Sequence, residues 1–206
     1  RWLARRGILG RDPLAGLEKP DPEPRRKRGG ITHREQLRLM DGAASLRVRY
    51  GMTGVERQAI YVAALSTGMR LAELRSTKAR HWRLDAADSN EHCVELQHTK
   101  DRRTRATSNV EAVTQPLLPL ATAALRAYLA TRDPDGPAFS ERLHKGVAAK
   151  MVRDDLEALG IPTVDEHGVR DFHALRSSYA TLLGELGFSP MEIILLTRHK
   201  DPRMVV

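Results

Sequence analysis

The sequence predicts an α+β domain, mainly α-helical, with a small three-stranded antiparallel sheet. Three observations carry that expectation. Aromatic residues make up only 4% of the 206, and a core assembled instead from Leu, Ala, Val and Ile favours helices. Capping boxes recur at Thr32 with Glu35, Thr53 with Glu56 and Ser189 with Glu192, each setting a hydroxyl three residues ahead of a carboxylate. Between about 82 and 117 the texture turns strand-like in WRLDA, HCVELQ and EAVTQPLL, the first two separated by Asp, Ser and Asn.

The elements follow in order. RWLARRG reads as a helix end, with Trp2 and Leu3 apolar, Arg5 and Arg6 in the last turn and Gly7 as the stop. Residues 19–30 hold Pro20, Pro22 and Pro24, then Arg25, Arg26, Lys27, Arg28 and a glycine pair. Prolines force extended backbone and the basic run repels itself, so this is a linker, either a solvated spacer or a strap along DNA phosphates. The first capping box opens a helix over about 34–48 carrying Leu37, Met40, Ala44 and Val48. The second opens one over about 55–66 carrying Ile60, Ala63 and Ala64, which stops at Thr67-Gly68 and is followed by a short helix over about 70–77.

After the sheet, helices return over about 119–131, with Leu125 and Leu129 on one face, and over about 146–159, with Val147, Met151 and Leu159. Gly160 and Pro162 close the latter. Leu175, Tyr179, Leu182, Leu183 and Leu186 mark an amphipathic helix ended by Gly187. A last helix starts behind Ser189 with Pro190 at its first position. There is no internal repeat.

Hydrophobic residues at 41% and charged residues at 29% are ordinary for a globular chain. Lys plus Arg outnumber Asp plus Glu by 34 to 26, giving +8 and a pI near 10. That surplus points to a polyanionic partner, most often nucleic acid. The single Cys93 excludes a disulfide framework, and neither His92 nor His98 stands at zinc-ligand spacing from it. No apolar run approaches the ~18–20 residues of a membrane span. The expected setting is therefore intracellular: cytoplasmic and associated with the nucleoid. The chain opens without Met and stops at Val206 inside what reads as a continuing element, as expected for a piece of a longer protein.

Several chemistries lack their motif. The sequence has no GxxxxGK[ST] loop, no GxGxxG after a strand, no HExxH and no GxSxG elbow. The adjacent acids Asp154 and Asp155 lie mid-helix and face two directions, which suits a metal-free mechanism better than a Mg²⁺ nuclease. The notable residues are cationic. In TGMRLAEL, Arg70 follows a glycine at a helix junction and shares a helical face with Glu73. In FHALR, His173 and Arg176 stand one turn apart, and His199 falls at a helix end between Arg198 and Lys200. Lys100 sits in the basic turn HTKDRRTR. Taken singly these are a surface ion pair, an interfacial His beside a solvated Arg, and a plain basic turn.

Taken together, in this order and separation, TGMRLAEL, a Lys in a β-turn, DFHALRSSYATLLGELGFSP and LLTRHKDP resemble the tyrosine recombinase (phage integrase) family. Its pattern is Arg…Lys…His-x-x-Arg…His/Trp…Tyr. The resemblance covers 31–206 as the family's catalytic domain, a helical bundle with a small sheet, and makes 1–18 the tail of a preceding core-binding domain. It implies cutting and rejoining of duplex DNA through a 3′-phosphotyrosine, with no cofactor, metal or ATP. By match of position Arg70 and Arg176 would clamp the scissile phosphate, planar guanidinium suiting that charge. Lys100 would be the general acid for the 5′-oxygen, with Arg102 or Arg103 as neighbours. His173 would accept or relay the tyrosine's proton, His199 would donate to a non-bridging oxygen, and Glu73 would orient Arg70. Arg25, Arg26, Lys27, Arg28, Arg102, Arg103, Arg198 and Lys200 would contact DNA.

The chain departs from the family pattern in three places. The family's Tyr falls some nine or ten residues after His199, just beyond Val206, and Tyr50, Tyr61, Tyr128 and Tyr179 are in the wrong segments. The chain as it stands is thus expected to bind DNA without cleaving it. Arg198 stands where the family usually has Gly, and the stretch from Lys100 to Pro116 is longer than the usual hairpin. The implied assembly is a homotetramer on paired duplexes, with this piece monomeric and no membrane partner. A non-catalytic DNA-binding relic or accessory factor, and a type IB topoisomerase-like nicking-closing enzyme, are the alternatives.

Overall fold

The structure is a computed structural model that describes residues 6–11, 29–85, 91–96, 113–119, 122–166 and 168–198. The expected α+β architecture is observed. In chain order it comprises helices α1 (His33–Gly42), α2 (Gly54–Thr67) and α3 (Leu71–Arg75), a sheet of β1 (Trp82–Arg83), β2 (Cys93–Leu96) and β3 (Val113–Pro116), and helices α4 (Thr122–Leu129) and α5 (Lys145–Ala158). A two-residue hairpin, β4 (Val164–Asp165) and β5 (Gly168–Val169), precedes helices α6 (Phe172–Glu185) and α7 (Pro190–Thr197). The three-stranded sheet runs β1-β2-β3, antiparallel throughout, with Trp82 opposite Val94 and Leu96 opposite Val113.

Helix α2 is the axle. Residues Ala59 to Leu65 are all at most 1% exposed, the pattern of a helix packed on every side. Its neighbours α1, α4 and α6 wrap it, and the main core runs unbroken from Ile31 to Leu175. A smaller cluster of Tyr179, Leu183 and Ile193 joins α6 to α7. The caps act as the sequence implied at Thr32 and Ser189, where hydroxyl and carboxylate satisfy each other's backbone N–H. At Thr53 only half the box forms. The Thr53 hydroxyl accepts from the Glu56 N–H, while the Glu56 carboxylate turns to accept from the Tyr128 hydroxyl at 3.3 Å.

Four expectations need correcting. The helix expected over 34–48 ends at Gly42, passes through a 3-10 turn at Ala43–Ser45, and leaves Val48 65% exposed. The chain turns here to lie against the start of α2, so closely that a side chain at Gly54 would meet the carbonyls of Ala43, Ala44 and Leu46 at 2.5–2.6 Å. It reverses at the Arg49–Met52 bridge, with Tyr50 and Gly51 both left-handed. The helix expected over 70–77 is only Leu71–Arg75, followed by a 3-10 turn at Ala79–His81. Leu186, expected on the buried stripe, caps α6 instead and is 58% exposed. The β4–β5 hairpin was not expected at all. Its Asp165 and the Glu35 of α1 both accept from the buried Arg170, at 2.7 and 2.9 Å. This stitches the start of the domain to the approach of α6, and Ile31 N–H adds a bond to the Ser178 hydroxyl of α6 at 2.7 Å.

Candidate functional site

The site grows from the end of α2. Gly68 takes a left-handed conformation (φ 58°) and its N–H bonds the Ala64 carbonyl at 2.9 Å, closing the helix. A Cβ there would lie 2.2 Å from the Tyr179 ring, so the position requires glycine for approach as well as for conformation. Two residues on, Arg70 caps α3. Its backbone N–H bonds Glu73 Oε2 and its Nη1 bonds Glu73 Oε1, both at 2.9 Å. The shared helical face expected for Arg70 and Glu73 is thus realised as a bidentate grip.

Helix α6 brings the next residues. Asp171 accepts from the His173 backbone N–H at 2.8 Å, which starts the helix and leaves His173 half-buried in its first turn. One turn on, Arg176 is 3% exposed. Its guanidinium donates to the Gly68 carbonyl through Nη1 and to the Thr197 carbonyl through Nη2. Arg70 Nη2 donates to the next carbonyl along, that of Arg198, at 2.9 Å. The two arginines therefore converge on consecutive carbonyls at the C-terminal end of α7, where the helix dipole is negative and the carbonyls lack intrahelical donors. Among the described residues Arg176 Nε is buried without a partner.

Arg198 adds a third guanidinium. It caps α7 in a left-handed conformation (φ 53°), and its side chain is 11% exposed. Nη2 reaches Glu73 Oε2 at 3.0 Å, and Nη1 donates to Gln115 Oε1 of β3 and to the Leu196 carbonyl at 3.0 Å. Gln115 also donates to the Tyr179 hydroxyl at 3.3 Å. Reading the sequence alone missed Gln115, because its burial at 2% exposure is a property of the fold and nothing in the segment VTQP announces it.

The charge balance is uneven. Three guanidiniums meet one carboxylate among the described residues of the site. Burial pushes the Glu73 carboxyl up, but the Arg198 charge and the hydrogen bonds from Arg70 outweigh it and hold the group below its ordinary value. Burial, reinforced by the charges of Arg70 and Arg198, lowers Arg176 to about 9. Such a cluster is short of negative charge, and an anion would supply it.

The linked behaviour can be measured. A base whose pKa falls on folding costs stability while charged, and the cost is relieved only as pH rises from about 9 toward 12.5. An anion among the arginines relieves it at neutral pH instead. Sulfate, compared with chloride at equal ionic strength, is therefore expected to raise the Tm at pH 7–8 by more in the wild type than in Arg70→Ala. That difference should shrink as pH passes about 9. Equal gains in both proteins would mean that the cluster holds no anion.

The tyrosines are committed elsewhere. Burial pushes the phenols of Tyr50, Tyr128 and Tyr179 up to about 12 and raises that of Tyr61 well above its ordinary value. Tyr61 and Tyr179 are at most 1% exposed, and Tyr50 donates to Asp154. Arg70, Glu73, His173, Arg176 and Arg198 lie among the described residues; Arg70, Glu73 and Arg198 are joined directly, and Arg176 donates to the Thr197 carbonyl beside them. Arg25, Arg26, Lys27, Arg28, Lys100, Arg102, Arg103, His199 and Lys200 lie outside the described residues. No described helix is long and apolar enough to cross a membrane.

Solved structures share this fold. A lambda integrase (75–356) dimer bound to a COC′ core site matches with TM-score 0.66 and 19% identity, over 99% of this chain and 68% of that one. XerH recombinase bound to palindromic difH substrate matches with TM-score 0.62 and 15% identity, over 86% of this chain and 48% of that one. The Tn1549 transposon integrase with transposon right-end DNA gives TM-score 0.62 and 16% identity, over 99% and 69%. These identities make the likeness one of fold, and the chain spans about half the length of XerH. No curated protein sequence matches. The sequence profile described as the Phage integrase family matches residues 30–206. That match begins at the glycine pair and takes in every element that builds the arginine cluster, so the chain belongs to the phage integrase family.

Proposed function

We propose that this chain is the catalytic domain of a site-specific DNA recombinase, which cuts and rejoins duplex DNA through a 3′-phosphotyrosine without metal or ATP. The observation that carries the reading is the convergence of Arg70 and Arg176 on the end of α7, with Arg176 Nε buried and unpartnered among the described residues. A phosphodiester carries one negative charge, and its pentavalent transition state carries a second. Fixed guanidiniums in a water-poor site stabilise the second charge more than the first, which is the condition for catalysis. Arg70 and Arg176 bind the non-bridging oxygens, and Glu73 holds Arg70 in orientation. His173 takes or relays the tyrosine's proton, His199 donates to a phosphate oxygen, and Lys100 protonates the departing 5′-oxygen. The basic run Arg25, Arg26, Lys27 and Arg28 tracks the backbone of the duplex, with Arg102, Arg103 and Lys200 beside it. The nucleophile is a tyrosine that the family pattern sets some nine or ten residues after His199, and pairing of two cut duplexes calls for a homotetramer.

The COC′ core site bound by lambda integrase, the difH substrate bound by XerH and the transposon right-end DNA bound by the Tn1549 integrase support the substrate class. The test takes the complete protein, EDTA and a pool of nicked duplexes with random core sequence. A detergent-resistant protein–DNA adduct linked through tyrosine is expected. Sequence-dependent binding with no adduct would overturn the recombinase reading in favour of a DNA-binding accessory factor. The burial and engagement of the four tyrosines in this chain is the observation that favours that second reading.

A further inference from the structure

Arg198 occupies a conformation that glycine adopts at little cost. Its φ of 53° and ψ of 41° put Cβ in the left-handed region, where a non-glycine residue persists only if its surroundings over-determine it. The surroundings are on hand. The side chain does not leave the helix end for solvent; it folds inward at 11% exposure onto Glu73, Gln115 and the Leu196 carbonyl. These contacts close a ring. Arg70 Nη1 donates to Glu73 Oε1, Arg198 Nη2 donates to Glu73 Oε2, and the Arg198 carbonyl accepts from Arg70 Nη2.

Glu73 Oε1 is thereby held by Arg70 Nη1, and Oε2 is shared between the Arg70 backbone N–H and Arg198 Nη2. Arg70 in turn is held on one side by the carboxylate that Arg198 fixes and on the other by the main chain of Arg198 itself. Through Gln115 the same side chain ties α7 to β3, which pairs with the sheet and reaches the Tyr179 hydroxyl. Among the described residues Arg198 meets the clamp through Glu73 and through its own backbone.

We infer that Arg198 is a positioning residue, which fixes the Arg70 guanidinium by locking Glu73 and the end of α7 in one arrangement. The inference rests on the recombinase reading for its effect on the reaction, and on the geometry alone for its effect on Arg70. Removing the side chain leaves the Arg198 carbonyl and the Arg70 contacts to Glu73 in place, but it takes the third donor from Glu73, loosening the carboxylate, and unpins α7 from β3. Arg198→Gly suits the left-handed backbone, whereas Arg198→Ala keeps the strain and loses the same contacts. A loss shared by both variants belongs to the side chain and not to backbone freedom.

Two measurements separate the inference from the reading it rests on. The first is the guanidinium NMR spectrum of Arg70 in this chain. Both Nη groups are held in the wild type, so their protons should give separate signals, merging in Arg198→Gly and Arg198→Ala. The second is cleavage and duplex affinity in the complete protein. There both variants should bind duplex within about two-fold of wild type and cleave about ten-fold more slowly or worse at saturating DNA, as a misaligned group does.

Separate Arg70 signals in both variants would overturn the inference whatever the protein's activity. A ten-fold loss of affinity with saturated cleavage intact would also overturn it, because Arg198 would then grip phosphate directly. Merged signals in a protein whose wild type forms no adduct would leave Arg198 holding Arg70 and would sink the recombinase reading alone.

Discussion

Arg176→Ala in the complete protein is expected to abolish detectable strand cleavage while leaving the fold in place. The guanidinium is 3% exposed and supplies two donors to carbonyls, with its Nε buried and without a hydrogen-bond partner among the described residues. Removing one preorganised donor to a developing oxyanion costs about 10²–10³ in rate, and this substitution removes a full charge along with its donors. Two opposing effects act on stability. The carbonyls of Gly68 and Thr197 lose their donor, which costs free energy. A buried charge crowded by Arg70 and Arg198, whose pKa has dropped to about 9, is taken out as well, and that gain offsets the loss. Lysine should not rescue, since one ammonium cannot span two carbonyls and still meet a phosphate. A Tm close to wild type, normal duplex binding and no adduct is the expected combination. Adduct formation at the wild-type rate would remove Arg176 from the clamp.

What was legible in the sequence was local. Helix starts at Thr32, Thr53 and Ser189 depend on residues three apart, and each forms where the chain says it should. The stop at Gly68 and the Arg70–Glu73 pair are equally short-range. The misreadings have a different origin. Nothing within 34–48 announces that Gly54 will press against the carbonyls of 43–46, so the helix looked longer than packing allows. Leu186 fits the apolar period of α6 but falls at its C-terminal cap, where it is 58% exposed among the described residues.

The candidate site divides the same way. Arg70, Glu73, His173 and Arg176 could be picked out by motif, because the clamp is built from short helical spacings. The inward fold of Arg198 could not be. Its partners Gln115 and Glu73 lie 83 and 125 residues away along the chain, and an arginine beside a helix end reads as a solvent-facing cation until those elements are brought together. Its left-handed backbone is the physical reason that glycine suits the position so well.

Asp155→Ala should be the most destabilising single substitution among the described polar residues. Asp155 and Arg57 are both fully buried and meet at 2.7 Å, and the Tyr61 hydroxyl donates to the same carboxylate oxygen at 2.7 Å. The remaining donors of Arg57 go to the carbonyls of Met52 and Arg47, at 2.8 and 3.0 Å. The pair therefore bolts α5 to α2 and to the turn that replaced the end of α1. Deleting the carboxylate strands a guanidinium in the core, a loss of about 3–5 kcal/mol. That is a large part of the ~5–15 kcal/mol that holds a domain together, and it corresponds to a Tm lower by roughly 6–20 °C at this size. Its neighbour Asp154 faces the other way, half-buried, accepting from the Tyr50 hydroxyl. Asp154→Ala should cost only about 0.5–1.5 kcal/mol, the net value of an ordinary hydrogen bond. Urea unfolding of the two variants checks both figures. A loss below about 1 kcal/mol for Asp155→Ala would mean that water reaches Arg57 and that the core is looser than its burial says. Replacing both partners together, Arg57→Met with Asp155→Leu, should recover most of the loss, because the penalty arises from the stranded charge and not from the missing attraction.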